Sequence, residues 1–191
     1  MKFRSFIVFV CRALVLMLLC SNVPLKASDN RSQLGAELER AVSCDRAALN
    51  VFDGSKFDGS SDDPYPTFLS MGVAIYNDPG KFGASVFRFP KGVRVFGYEA
   101  MQAVYSTESI TTFFVELDAG PTDLVRLKNM LRLRPIEKED MNKFGYFGKI
   151  TVRYLKRVGG QNLDPPDFQF LGERTTNGKS SVFIGCQNLA W

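Results

Sequence analysis

The sequence predicts an α+β fold: a single domain with an antiparallel sheet of about five to seven strands, helices packed on one face, and one disulfide. Three observations carry this expectation. Short apolar segments recur between turn residues from Thr67 to Leu117, two stretches show helical spacing, and two cysteines, Cys44 and Cys186, stand far apart in the chain. Consecutive strands joined by short turns pair antiparallel, and helices that bury one apolar side need a sheet face to cover.

The chain starts with Lys2, Arg4 and Arg12 around two apolar runs, the second from Ala13 to Cys20, followed by Leu25-Lys26-Ala27. A basic start, an apolar run and a small residue at the cleavage position read as a secretory signal peptide, residues 1–27, ahead of a single exported domain at 28–191. The apolar run is interrupted by Arg12, which disfavours a membrane span. The expected destination is the periplasm, with the extracellular space as the alternative. No stable membrane insertion is expected once the segment is removed.

Leu34, Leu38, Ala41 and Val42 share one side of a helix over Gln33 to Val42, with Gly35 inside it. Cys44 to Leu49 reads as a second short helix, with Ser43 or Asp45 able to cap it. Asn50 to Pro66, NVFDGSKFDGSSDDPYP, then packs Asp-Gly and Asp-Pro turn signals and serines into a polar loop. An EF-hand register fails here, because position five from Asp53 is Phe57 and position six from Asp58 is Asp63 where glycine is required. No metal and no cofactor are expected. Phe57 and Tyr65 are the aromatic exceptions between Asp53 and Pro66, and with Asp58, Asp62 and Asp63 they form a candidate interaction loop.

Thr67 to Tyr76 reads as a strand, and Asn77-Asp78-Pro79-Gly80 as a turn. Ala84–Phe89, Val93–Tyr98, Met101–Ser106 and Thr111–Leu117 follow as strands. Pro121 and Asp123 start a helix whose apolar side is Leu124, Leu127, Met130 and Leu131. Its basic residues Arg126, Lys128, Arg132 and Arg134 form no single stripe and read as a solvated face. Pro135 stops the helix. Ile150, Val152 and Tyr154 alternate as in a half-buried strand. Phe168–Thr175 and Lys179–Gln187 flank Asn177-Gly178, a type I′ hairpin turn, in a register that sets Phe170 opposite Gly185 and Gln169 opposite Cys186.

Composition narrows the chemistry. The 24 basic residues less the four within 1–27 leave 20, against 20 acidic residues that all follow Ala27, so the exported domain is neutral and nucleic acid is not an expected partner. The chain has no histidine, which removes imidazole bases and His-ligated zinc. Cys44 and Cys186 remain after export and are expected to pair. Paired carboxylates are the remaining catalytic design, with Glu99, Glu108 and Glu116 as candidates, although each reads better as a solvent-facing strand residue. No catalytic residue is assigned. The expected function is that of a non-catalytic exported binding protein with a protein partner, of the inhibitor or immunity type. A carboxylate-based enzyme acting on cell-envelope glycan and a structural envelope-assembly component are the alternatives.

Overall fold

The computed structural model describes residues 24–54, 57, 64–77, 84–107, 111–136, 150–155, 167–176 and 179–188. Helices α1 (Pro24–Val42), α2 (Arg46–Val51) and α3 (Tyr65–Ser70) lead into strands β1 (Ala74–Asn77), β2 (Ala84–Arg88), β3 (Arg94–Val95), β4 (Tyr98–Ser106) and β5 (Thr111–Asp118). Helix α4 (Pro121–Met130) follows, and then β6 (Arg134–Pro135), β7 (Ile150–Tyr154), β8 (Phe168–Thr176) and β9 (Lys179–Asn188). All nine strands belong to one antiparallel sheet, and seven of them are four residues or longer.

The strand order is β1-β2-β4-β5-β9-β8-β7-β6, with β3 paired to β4. The chain therefore runs from one edge to the middle, crosses on α4 to the far edge, and returns strand by strand. Its last strand closes on β5, over seven paired positions from Thr111↔Asn188 to Leu117↔Val182. The disulfide Cys44–Cys186, with Cα atoms 5.2 Å apart, ties this strand to the turn after α1. Closing a loop of that length restricts the unfolded chain by roughly 4 to 5 kcal/mol in the entropy model.

Alternation assigns each residue to a face. Phe113, Val115 and Leu117 of β5, with Cys186, Ile184 and Val182 of β9, point toward the helices and are buried. Helix α1 meets them with Leu34, Leu38, Ala41 and Val42, all buried, as its spacing predicts. Phe52 sits at the centre of this core, its ring 4.8 Å from Phe113 and 5.4 Å from both Phe68 and Phe87.

The other face holds a second cluster at the β9-β8-β7 end: Phe168, Phe170, Phe183, Ile150 and Val152. Two glycines make it possible. A β-carbon at Gly172 would lie 2.2 Å from the Phe183 ring, and one at Gly185 would lie 2.5 Å from the Phe170 ring. The phenylalanines occupy the space that side chains there would need. The helix-covered core was expected; this second cluster was not.

Local chemistry explains the element ends. Asp45 caps α2, its Oδ1 accepting from the N–H groups of Ala47 (2.9 Å) and Ala48 (3.3 Å). The hydrogen bond from Arg40 is the main cause that holds the Asp45 carboxyl below its ordinary value; burial opposes it, and the Ala48 amide, the charge of Arg40 and the Ala47 amide add smaller downward effects. Gly120 and Asp123 bond reciprocally at the start of α4. Helix α1 begins at Pro24 rather than near Gln33, so the expected cleavage after Ala27 falls within its first turns.

Three expectations need correction. Thr67–Tyr76 is not one strand: Tyr65–Ser70 is helical, and only Ala74–Asn77 is extended. Pro66 in the first turn and Gly72 at φ +78° punctuate that helix, and apolar composition alone hid them. Val93–Tyr98 is not one strand either: only Arg94–Val95 is β3, Tyr98 already belongs to β4, and Met101–Ser106 is the later part of β4. Phe96 and Gly97, at φ 51° and 86°, make a tight turn between β3 and β4, and β4 runs unbroken from Tyr98 through a bulge at Ala100/Gln102. Met130, assigned to the buried side of α4, is instead 50% exposed.

The Phe96 turn is held by α1, since its N–H donates to the Glu39 carboxylate at 2.6 Å. One helical turn earlier, a β-carbon on Gly35 would lie 2.3 Å from the Arg94 carbonyl oxygen. The glycine lets α1 lie against β3. Gly35→Ala is expected to lower stability by about 1 to 3 kcal/mol through overpacking, outweighing the gain of up to about 1 kcal/mol in helix propensity. Urea unfolding of both forms measures the difference.

Tyr105 lies on the helix-covered face beside Phe113 and is almost fully buried. Burial, reinforced by the charge of Asp53, pushes its hydroxyl up to about 12, against a smaller downward effect of its hydrogen bond to Thr111. A raised folded value means that the unfolded chain loses this proton first as pH rises. The contribution is therefore complete below about pH 10 and is lost as pH climbs from there toward 12. Stability is expected to fall over that window less steeply in Tyr105→Phe, and absorbance at 295 nm should show one of the six tyrosines ionising late.

Candidate functional site

The candidate loop divides. Phe57 turns back into the domain, its ring 6.0 Å from Phe87, 6.3 Å from Phe68 and 5.8 Å from Tyr65. Tyr65 covers the outer side of that stack and stays 38% exposed. Asp58, Asp62 and Asp63 lie outside the described residues. The loop's two aromatics thus differ in kind: Phe57 extends the core, and Tyr65 faces outward where α3 begins.

Five large hydrophobics are exposed among the described residues, and three of them belong to α3 and β1: Tyr65, Leu69 (49% exposed) and Tyr76 (50%). Tyr65 and Leu69 are four residues apart and so share one side of α3. Phe68, on the other side, is buried against Phe52. Helix α3 leads through Met71–Val73 directly into β1, which is the first strand of the sheet. Register sets Tyr76 on the face away from the helices, opposite Val86, with the Arg88 guanidinium 5.2 Å from its ring centre.

The two edges of the sheet differ. Strand β6 is two residues long and contains Pro135, both of which blunt an edge. Strand β1 is Ala74-Ile75-Tyr76-Asn77, with neither proline nor charge, and among the described residues nothing pairs with its outer side. Its outward N–H and C=O groups can accept another extended segment.

From Tyr76 an apolar row runs across the same face through Val86, Val104 and Phe114. Arg88, Gln102 and Glu116 form the row beside it, where Gln102 Nε2 donates to Glu116 Oε2 at 2.7 Å. Glu116 is thus the acceptor of a cross-strand hydrogen bond. Glu99 accepts from the Gly92 N–H at 3.4 Å and stands opposite exposed Asp118 at the end of the β4–β5 ladder, within reach of water. Glu108 lies outside the described residues. Among the described residues, no three acidic or cysteine side chains gather as metal ligands.

Cys44 and Cys186 are joined, and the bridge is structural, buried at Cys186 within the helix-covered core. No described helix is long and apolar enough to cross a membrane. Sequence reasoning found Tyr65 but missed Leu69 and Tyr76, because Thr67–Tyr76 read as a single strand. Proline before the apolar run and glycine after it were the signal that separates helix from strand there. Comparison of the chain with protein-family models, with curated proteins and with solved structures returns no match.

The two aromatic rings should respond differently to replacement. Phe57→Ala is expected to cost about 2 kcal/mol, less than a fully buried phenylalanine because the ring is only half-buried. Tyr65→Ser should change stability by less than about 1 kcal/mol. Thermal and denaturant unfolding of the two variants distinguishes a core ring from a surface ring.

Proposed function

We propose that this is a non-catalytic exported protein that binds another protein, and that the contact is the β1 edge with Tyr65, Leu69 and Tyr76 around it. The carrying observation is the asymmetry of the edges: β1 is left unblunted and is flanked by three of the exposed large hydrophobics. A partner that supplies an extended segment gains main-chain hydrogen bonds along β1, while Tyr76 and the α3 side chains provide selective apolar contacts. The Cys44–Cys186 bridge supports an oxidising destination, for which the periplasm is the proposal and the extracellular space the alternative. An inhibitor or immunity protein works in this way, by occupying its target.

Photo-crosslinking in the native host tests the reading. A crosslinking amino acid at Tyr76 should join one polypeptide through an extended segment, mapped by mass spectrometry, and the same group at Val125 on α4 should not. Tyr76 crosslinks that are absent, or no more selective than those from Val125, would overturn the proposed contact.

A further inference from the structure

Charge is sparse around the β1 edge. Residues 65–77, YPTFLSMGVAIYN, which form α3, the turn after it and β1, have no charged side chain. Arg88 of β2 reaches over them. It stands opposite Ala74, whose small side chain leaves the way across β1 open, and its guanidinium lies 5.2 Å from the Tyr76 ring centre. Arg88 is exposed, and among the described residues no carboxylate pairs with it. The acid in its own row across the sheet, Glu116, is two strands away and accepts from Gln102.

Hydrogen-bond alternation gives the position of a segment added to this edge. The Phe89 N–H donates to the Met101 carbonyl at 3.1 Å, so alternate residues Phe87 and Ser85 also bond to β4, while Val86 and Arg88 bond to β1. Their partners Tyr76 and Ala74 are thereby engaged, and the outward main-chain groups of β1 belong to Ile75 and Asn77. A segment pairing antiparallel there makes the closer, non-hydrogen-bonded pairs opposite Ala74 and Tyr76, with Cα atoms roughly 4.5 Å apart. Its side chains at those two positions stand on the face of Arg88.

We propose that the β1 edge selects an extended polypeptide segment bearing an aspartate or glutamate on the face of Tyr76, where the Arg88 guanidinium receives its carboxylate. The inference rests on the β1 contact proposed above and adds the chemistry of the partner. A guanidinium held over an aromatic face keeps its in-plane N–H donors available to a carboxylate. A second copy of this chain does not supply the acid, because its β1 reads Ala-Ile-Tyr-Asn and, paired antiparallel, brings a second Arg88 to the same face.

Selection of a phage-displayed library of random nine-residue peptides on the purified protein tests the assignment. Enriched peptides are then made with a photoreactive group, and their crosslinks are mapped by mass spectrometry. Those that join β1 should carry an Asp or Glu with apolar residues on both sides, and their affinity should fall roughly three- to tenfold with Arg88→Gln. Selection on Arg88→Glu should return lysine or arginine in place of the acid. Arg88 is exposed, so both variants keep the fold. Peptides that join β1 without acid preference, or with a preference that Arg88→Glu leaves unchanged, would overturn this inference and leave the edge contact standing. No enrichment, crosslinks only elsewhere, or β1 crosslinks only between two copies of the chain would overturn both.

Discussion

Strand β9 closes the structure, and the rest of the fold depends on its pairing with β5. The chain reaches β5 from one edge, leaves on α4 for the opposite edge, and builds β6, β7 and β8 inward, so the second half of the sheet joins the first only when β9 docks. Contacts of this kind are distant in sequence, and loop-closure entropy opposes them until they form. The Cys44–Cys186 bridge acts on that junction. It fastens the central strand to the turn after α1, and α1 in turn covers β3, β5 and β9.

Glycine works at this junction in a way unrelated to turns. Gly185 lies on β9 where the Phe113 carbonyl and the Phe170 ring come close, and Gly172 receives the Phe183 ring from the opposite strand. Gly35 does the same for α1 against β3. In each case the missing β-carbon admits a neighbour, so close packing is purchased at the cost of local propensity. The phenylalanines placed over Gly172 and Gly185 give the second face its own apolar cluster, and the sheet is consequently buried on both sides along Phe168–Gly172 of β8 and Val182–Gln187 of β9.

The β1 end is different. There Tyr76 and Arg88 stand on the face away from the helices, Tyr65 and Leu69 stand on the outer side of α3, and among the described residues nothing pairs with the outer side of the strand between them. The core beneath remains well packed through Phe52, Phe68 and Phe87, with Phe57 laid against it. A packed aromatic base under that edge holds it in place, which is the preorganisation that the proposed contact would use.

The sequence by itself determined the fold class, the α1 apolar side, the start of α4, the β8–β9 register and the cysteine pairing. These rest on local chemistry or on counting: periodicity, proline at a helix start, Asn-Gly between two strands, and two thiols left to each other. Tertiary structure decided the order of strands, the second apolar cluster and the burial of individual residues. Phe57 and Tyr65 belong to one polar-looking stretch, yet one ring enters the core and the other stays at the surface, because Phe68 and Phe87 arrive beside Phe57 only when β2 and α3 are assembled. Met130 has the spacing of a core residue but is 50% exposed. Gln169 was legible as the partner of Cys186, whereas its buried, unsatisfied amide was not: alternation fixes which way a side chain points, and only the packed neighbours fix what it meets there.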